Sequence, residues 1–160
     1  MVDAPKVFIS YSWDSDVHKK WVRDFATRLL SDGVDVTLDR WAAVPGDQLP
    51  EFMETAVREN DFVLIICTPK YKTKMDNRGG GVGYEEDVMT GEIFVKGNDR
   101  KFIPVLRIGD WDKVAPSAFT GKYYIDLRND PVSEAGYKDL LRTLFDERDQ
   151  KPKLGKKPSF

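Results

Sequence analysis

The chain has 160 residues, of which 41% are hydrophobic and 32% are charged. This length and composition predict a single globular domain with its own hydrophobic core. The formal net charge is −2, so no general attraction to nucleic acid or anionic membranes is expected. Cys67 is the only cysteine and His18 the only histidine, which excludes an intrachain disulfide and a metal site with several Cys and His ligands. No apolar run approaches the roughly 20 residues that span a bilayer, and a cytoplasmic location is expected.

Short apolar runs alternate with helical patterns along the chain. We expect strands at residues 7–11, 34–38, 62–67, 102–106 and 123–127, and helices at 17–31, 49–59, 84–95 and 137–145. The run 62–67 is apolar throughout, which is typical of a central strand buried on both faces. The alternation predicts an α/β fold with a parallel sheet and helices on both of its faces.

Three segments follow the expected strands at one edge of this sheet. They are residues 10–15, 39–48 and 70–83, all of which we predict as loops. Ligands of parallel sheets bind beyond the carboxyl ends of the strands, near the point where the strand order reverses. Because these segments are also the most unusual in composition, the sequence predicts the functional site at this edge.

A glycine-rich loop precedes two carboxylates. Four glycines fall within residues 79–83, and Glu85 and Glu86 follow where a helical pattern resumes. Glycine tolerates positive φ and has no Cβ, so such a loop can approach a ligand closely. An acid at the start of the next helix would then lie at the lip of a cleft. Helical periodicity does not separate Glu85 from Glu86, and two solvated glutamates after a flexible loop are the alternative interpretation.

Other candidates lie at the ends of the first three strands. The first two strands and their loops contribute Phe8, Ser10, Tyr11, Ser12, Trp13, Arg40, Trp41 and Asp47. The segment after the third strand contributes the cations Lys70, Lys72, Lys74 and Arg78, which either attract pyrophosphate or form a solvated face. For Phe8 the alternative is packing in the core. We expect Cys67 to be inert in the core, and His18 to be exposed without a catalytic role.

The end of the chain differs from the rest in composition. Residues 146–160 contain four lysines together with Pro152, Gly155 and Pro158, and they show little apolar periodicity. This composition predicts a flexible tail, or a linker toward a second module, after a domain at residues 1–145.

Four motifs in this order resemble those of Toll/interleukin receptor (TIR) domains. They are KVFISYSW at residues 6–13, VDVTLDRW followed by PGDQL at 34–49, DFVLIICTP at 61–69, and GGVGYE at 80–85. The last is similar to a variant in bacterial TIR domains, including those fused to STING-type sensors of cyclic dinucleotides. The resemblance covers residues 6–145 and implies the flavodoxin-like TIR fold, with a central five-stranded parallel sheet. The related SEFIR subclass is the nearest alternative.

The resemblance also implies a chemistry. Many bacterial and plant TIR domains cleave NAD+ at the nicotinamide–ribose bond, using a glutamate that matches Glu85, with Glu86 as the alternative. The reaction passes through an oxocarbenium-like state, which a nearby carboxylate stabilises. Many active members carry a tryptophan where this chain has Gly81, so Tyr84 or Trp41 would supply the aromatic face. Ser10, Tyr11, Ser12 and Asp47, with Phe8, would line the substrate.

The resemblance therefore predicts an NAD+ glycohydrolase, with ADP-ribosyl cyclisation as a further outcome. Such an enzyme uses NAD+ as substrate, needs no cofactor or metal, and is activated when TIR domains self-associate, as in filaments. It would act as a cytoplasmic effector in bacterial antiphage defence, coupled to a sensor module, without direct contact to nucleic acid or membrane. The alternatives are a non-enzymatic adaptor that binds other TIR domains and a nucleoside-processing enzyme such as a deoxyribosyl transferase.

Overall fold

The computed structural model describes residues 3–39, 45–46, 49–77, 99–129 and 132–160. Its strands are β1 (Lys6–Ser10), β2 (Asp35–Thr37), β3 (Phe62–Cys67), β4 (Phe102–Leu106) and β5 (Ile125–Asp126). Its α-helices are α1 (Asp16–Ser31), α2 (Leu49–Glu59), α3 (Pro69–Asn77), α4 (Trp111–Val114) and α5 (Glu134–Leu144), and short 3-10 helices cover Asp99–Lys101 and Ser117–Phe119. Within these described segments, no helix combines the length and apolar character that crossing a membrane requires.

The strands form one parallel sheet in the order β2-β1-β3-β4-β5. The chain moves outward from β1 to β2, then returns past β1 to add β3, β4 and β5 on the other side. The strand order therefore reverses between β1 and β3, where Ser10 lies opposite Ile65. This topology confirms the predicted α/β class with a five-stranded parallel sheet. It also locates the switch point at which such sheets bind ligands.

Each face of the sheet supports a separate core. On one face, Ile9, Leu64 and Val105 pack with residues of α1 and α5. On the other face, Phe8 and Ile65 pack with residues of α2, α3 and α4. Because successive strand residues point to opposite faces, an apolar strand such as β3 fills both cores at once. All residues of β3 after Phe62 are buried, as the sequence predicted.

Two contacts fasten α1 to α5 on the first face. The Tyr137 hydroxyl donates a 2.6 Å hydrogen bond to Asp32, at the end of α1. Arg28 pairs with Glu134 at 2.6 Å, and its guanidinium carbon lies 3.7 Å from the centre of the Tyr137 ring. Both helices begin at serine caps, since Ser15 and Ser133 each accept a backbone N–H from three residues ahead. The two helices on this face are thus tied to each other as well as to the sheet.

Helix α3 is the longest described element that the sequence prediction missed. Residues 69–77 form helix α3, whereas we predicted a loop at 70–83. The Thr68 hydroxyl caps this helix by accepting the Tyr71 N–H at 3.2 Å, and Pro69 occupies the first helical position, which suits its fixed φ. Tyr71 and Met75, four residues apart, supply its buried face. Hence a helix with few apolar residues still packs on the sheet.

The sequence prediction also missed the four-residue helix α4 and the two 3-10 helices, and the other differences concern the ends of elements. Strand β5 covers only Ile125–Asp126, not 123–127, because Tyr124 stacks on Trp111 at 4.3 Å and Tyr123 is 77% exposed. Strand β2 is shorter than predicted by one residue at each end. Helix α5 begins at its Ser133 cap rather than at Tyr137. The predicted helix 84–95 lies outside the described residues.

Gly136 is where α5 approaches β5 most tightly. A Cβ at this position would lie 2.6 Å from the Asp126 carbonyl oxygen and 3.3 Å from a Leu127 methyl group. We predict that Gly136→Ala lowers the free energy of unfolding by about 1–3 kcal/mol, although alanine favours helix by about 1 kcal/mol. Urea denaturation measures the change. Gly121→Ala is the control, because its Cβ would meet no atom within 4 Å, and equal losses for both variants would contradict the explanation.

Candidate functional site at the carboxyl edge of the sheet

Polar side chains cluster where β1 and β3 end. Ser10, Tyr11 and Ser12 close β1, and Thr68 directly follows β3. All four have no exposed surface, although polar residues usually avoid such burial. Buried polar groups require hydrogen-bond partners, so their positions are strongly constrained. The carboxyl edge is therefore built from side chains that hold one another in place.

One part of this cluster faces α3. The Ser10 and Tyr71 hydroxyl oxygens are 2.8 Å apart, and the Ser12 and Thr68 hydroxyl oxygens are 3.3 Å apart. Thr68 is also the cap of α3, so one hydroxyl connects the helix to the end of β1. These contacts bring together two residues that the sequence predicted for the site and two that it did not. The missed pair carried a signal, because Thr68 before Pro69 is a typical start of a helix.

The other part of the cluster faces the segment after β2. The Tyr11 hydroxyl donates a 2.8 Å hydrogen bond to Asp39, and Asp39 is only 7% exposed. This bond joins the end of β1 to the first residue of the segment 39–48, which we predicted as a site loop. Tyr11 thus fixes the point where that segment leaves the sheet.

The turn after β1 is held by a third set of contacts. The Ser12 hydroxyl donates to the Asp14 carboxylate, and Lys70 donates from Nζ to the Asp14 backbone carbonyl at 3.2 Å. Trp13, which stands between Ser12 and Asp14 in the sequence, is 41% exposed. The indole therefore reaches the surface next to the polar cluster, where an aromatic face can stack on a planar ligand.

His18 contradicts its predicted exposure, since only 4% of the residue is accessible. Its ring lies parallel to Trp21 at 6.4 Å and is tilted against Tyr11 at 6.3 Å. Both ring nitrogens are buried without a hydrogen-bond partner among the described residues. Burial lowers the pKa of His18 below 6.5, Asp14 opposes this shift, and the Arg107 cation adds to it. The imidazole is therefore kept neutral beneath the site, and we assign it no role in proton transfer.

Arg107 connects the ends of β4 and β5 at the same edge. Its guanidinium donates to the carbonyls of Leu127 and Arg128 at 3.1 and 2.9 Å, and its central carbon lies 4.4 Å from the Trp21 ring. Trp21 stacks in turn on Phe25 at 5.2 Å. This stack places a fixed positive charge beside His18.

The other predicted residues divide into two groups. Phe8 is fully buried and packs edge-on against Phe52 at 6.0 Å, so it lies in the core, which was the predicted alternative to lining a ligand. Cys67 is buried, as predicted, and burial raises the pKa of its thiol to about 12, which keeps it unreactive. Seven predicted residues lie outside the described part of the chain: Arg40, Trp41, Asp47, Arg78, Tyr84, Glu85 and Glu86. In the described segments, no group of three or more His, Cys, Asp or Glu side chains is arranged to hold a metal ion.

The described part of the site offers an aromatic surface, a cation and two helix N-termini to a ligand. Trp13 supplies the aromatic surface and Lys70 the cation, while the hydroxyl groups of Ser10, Ser12 and Tyr71 are buried and hold the edge together from within. The N-termini of α1 and α3 both lie at this edge, and the positive ends of their dipoles favour anionic groups of a ligand. Such a surface suits the phosphate groups of a ligand.

The Tyr11–Asp39 bond can be tested by removing one hydroxyl. We predict that Tyr11→Phe lowers the free energy of unfolding by about 1–3 kcal/mol, because the buried Asp39 carboxylate loses a donor. Chemical denaturation of both proteins measures the difference. Tyr123→Phe is the matched control, since that ring is largely exposed and should change stability by less than about 0.5 kcal/mol. Unchanged stability of Tyr11→Phe would contradict the anchoring role.

The lowered pKa of buried His18 predicts that the stability of the protein depends on pH. Because its folded pKa lies below its unfolded value of 6.5, the unfolded chain takes up the proton first. The contribution of neutral His18 is therefore complete above pH 6.5 and is lost as the pH falls below that value. His18→Phe should remove this loss and gain about 1 kcal/mol at neutral pH, because no buried ring nitrogen then lacks a partner. Chemical denaturation of wild type and His18→Phe from pH 8 to pH 5 measures the loss at low pH and the gain at neutral pH. If the free energy of unfolding changed with pH equally in the two proteins, the role given to neutral His18 would be contradicted.

Several proteins of known structure share this fold. The chain is similar to a prokaryotic SEFIR domain of known crystal structure, with 37% identity and a TM-score of 0.80, over 96% of this chain and 100% of that one. The TIR domain of the Toll-related receptor TRR-2 from Hydra magnipapillata matches with 16% identity and a TM-score of 0.61, over 86% of this chain and 96% of that one. The TIR domains of the activated Roq1 resistosome, which directly recognises the pathogen effector XopQ, match with 14% identity and a TM-score of 0.59, over 89% of this chain and 100% of that one.

A search of curated proteins finds no match. The family model described as TIR domain matches residues 7–141, which include every strand of the sheet and most of α5. With its strand order, its polar carboxyl edge and this match, the chain belongs to the TIR domain family.

Proposed function

We propose that this protein is an NAD+ nucleosidase that cleaves the bond between nicotinamide and ribose. The observation that carries the proposal is the polar cluster at the switch point, in a family that includes NAD+-cleaving members. The hydroxyl groups of Ser10, Ser12 and Tyr71 bond within the protein and hold the ends of β1 and α3 together beneath the proposed substrate surface. The N-termini of α1 and α3 favour the negative charge of the pyrophosphate. NAD+ is the substrate, and the chemistry itself calls for no metal or bound cofactor.

Glu85 is the carboxylate that we propose for the reaction. When the C1′–N bond breaks, the pyridinium nitrogen takes the electron pair and leaves as neutral nicotinamide, so no general acid is needed. Positive charge then develops on the ribose, and a carboxylate beside it stabilises that charge. Water adds at C1′ and releases one proton, giving ADP-ribose. Attack by an adenine nitrogen instead of water would give a cyclic product.

The remaining predicted residues have supporting roles in this proposal. Trp41 or Tyr84 provides an aromatic face for the nicotinamide or adenine ring, and Asp47 binds a ribose hydroxyl. Tyr11 acts from within the protein, because its bond to Asp39 sets where the segment that carries Trp41 and Asp47 begins. Phe8 supports the floor of the site from the core.

We further propose that activity requires association of TIR domains in the cytoplasm, as part of a bacterial antiphage response triggered by a sensor module. The Roq1 TIR domains, which share this fold, come from an activated resistosome, which supports assembly as the activating step. In this arrangement a neighbouring copy completes the site at the segment 39–48. The isolated domain should therefore be nearly silent when dilute.

The proposal predicts a specific pattern of activity. Wild-type protein at high concentration, or with a crowding agent, should release nicotinamide from NAD+. Glu85→Gln should reduce this rate by about 10²–10³-fold, as expected for loss of a group that stabilises the transition state, without changing the circular dichroism spectrum. Glu86→Gln is the matched control and should keep most of the activity. Loss with Glu86→Gln alone would instead assign the reaction to the neighbouring carboxylate.

One observation favours a second function, a non-enzymatic module that binds other TIR domains. Ser10, Tyr11 and Ser12 are fully buried and bonded within the protein, so in this conformation their side chains are already occupied. Fusing the chain to an oligomerising domain separates the two functions. Nicotinamide release by the fusion supports the enzyme, whereas an inactive fusion that still associates through its TIR domain supports the binding module.

A further inference from the structure

Charge is distributed unevenly between the folded domain and the residues that follow helix α5. We call residues 150–160 the basic segment, because it contains no acidic residue and four lysines: Lys151, Lys153, Lys156 and Lys157. The preceding 149 residues carry 21 Lys or Arg and 27 Asp or Glu, a formal net charge of −6. The net charge of −2, from which no attraction to anionic membranes was expected, is therefore the sum of two parts with opposite signs.

The basic segment leaves the domain and does not fold back onto it. Every residue from 146 to 160 is exposed, and no helix or strand forms in this range. The last side chain before the segment that pairs with the domain is Arg148, which binds Asp139 and Thr143. None of the four lysines forms an ion pair with a described residue. The acidic domain therefore leaves the charge of the segment available to a partner.

Two apolar side chains lie among these lysines. Leu154 and Phe160 are fully exposed, and the Lys157 ammonium lies 5.9 Å from the centre of the Phe160 ring. Pro152 and Pro158 lack a backbone N–H and oppose helix formation, which keeps the segment extended. Cations and apolar groups thus alternate along an extended chain. A partner that accepts both kinds of group has a negative surface with an apolar layer directly beneath it.

We propose that the basic segment binds the surface of an anionic lipid bilayer. The lysine ammonium groups would lie beside the lipid phosphates, and each would strengthen binding by about fivefold. Leu154 and Phe160 would enter the boundary between headgroups and acyl chains, so the contact is peripheral and reversible. Nucleic acid is the other polyanion that attracts lysines, but its phosphates cover no apolar layer that would take up a leucine.

The length of the basic segment prevents the acidic domain from cancelling this attraction. Its 11 residues span up to roughly 35 Å when they are extended. The Debye length at physiological ionic strength is about 8 Å, so repulsion between the domain and the bilayer is largely screened over that distance. The lysines, in contrast, contact the lipid phosphates directly.

The point of attachment also keeps the membrane away from the polar cluster. The segment follows the end of α5, which lies at the amino edge of the sheet, whereas the polar cluster lies at the carboxyl edge. Contact with a bilayer therefore leaves the candidate site accessible. The inference does not depend on the proposed NAD+ reaction.

Co-sedimentation of the whole chain with lipid vesicles tests the proposal. Vesicles of phosphatidylcholine with about 30% phosphatidylglycerol should bind at least about tenfold more tightly than vesicles of phosphatidylcholine alone, because only the former have a negative surface potential. Raising the salt concentration from about 0.1 M to 0.5 M should weaken binding at least about tenfold, since the Debye length shortens. No binding, equal binding to both kinds of vesicle, or binding that ignores salt would each overturn the proposal.

Matched substitutions locate the charge requirement. Replacing the four lysines of the basic segment with glutamine should weaken binding by about 100-fold or more. The control makes the same change in net charge by replacing four exposed lysines of the domain with glutamine: Lys6, Lys20, Lys113 and Lys138. Its binding should match wild type. Equal losses in the two variants would show a general charge effect and overturn the proposal.

A third variant separates a bilayer from nucleic acid. Leu154→Ser combined with Phe160→Ser should weaken vesicle binding about tenfold, because the apolar contacts with the lipid are lost. Both side chains are fully exposed, so the circular dichroism spectrum should not change. Vesicle binding that equals wild type would contradict the insertion of these residues. A single-stranded oligonucleotide that binds more tightly than the anionic vesicles would assign the segment to nucleic acid and overturn the proposal.

Discussion

The burial of β3 from Val63 to Cys67 is the constraint on which the rest of this structure depends. A strand with apolar residues on both faces has to be covered by helices on both sides and paired on both edges. In this fold β1 and β4 supply the pairing, and two separate cores supply the covering. Because β1 also pairs with β2, the strand order has to reverse beside β3. The position of the candidate site thus follows from the need to bury both faces of β3.

The polar cluster occupies the point where the strand order reverses. At a switch point the segments after β1 and β3 diverge to opposite faces, which would leave an open crevice. Ser10 and Ser12 partly close it through hydroxyl contacts to Tyr71 and Thr68, on the side of α3. Tyr11 closes it on the other side through Asp39. A hydrogen-bonded edge of this kind has a defined shape, because breaking any one of its buried bonds would leave a polar group without a partner.

Much of the fold could be predicted because local and global signals agree. The apolar runs that became β3 and β4 were predicted with correct bounds, since an apolar strand needs no alternation to be recognised. Helix α3 was missed because most of its residues are polar, and its stability comes from a Thr68 cap and two buried side chains. His18 was misplaced for the opposite reason. A polar residue near the start of an amphipathic helix usually faces solvent, and only the stack with Trp21 and Tyr11 explains its burial.

The site was predictable only in part. Ser10, Tyr11 and Ser12 could be identified because they follow the first strand at the edge where ligands bind. Thr68 and Tyr71 were missed: Thr68 before Pro69 marks the start of a helix, but the contacts that bring the two residues to the site are with residues 56 and 61 positions away in sequence. Long-range side-chain pairs leave no periodic pattern in a single sequence.

The two edges of the sheet differ in the sign of the electrostatic potential that the helix ends create there. In a parallel α/β fold the helices begin at the carboxyl edge and end at the amino edge, so their positive ends collect on one side. At the carboxyl edge, the positive ends of α1 and α3 therefore favour a phosphate. At the amino edge, α5 presents its negative end, which alone would repel an anion.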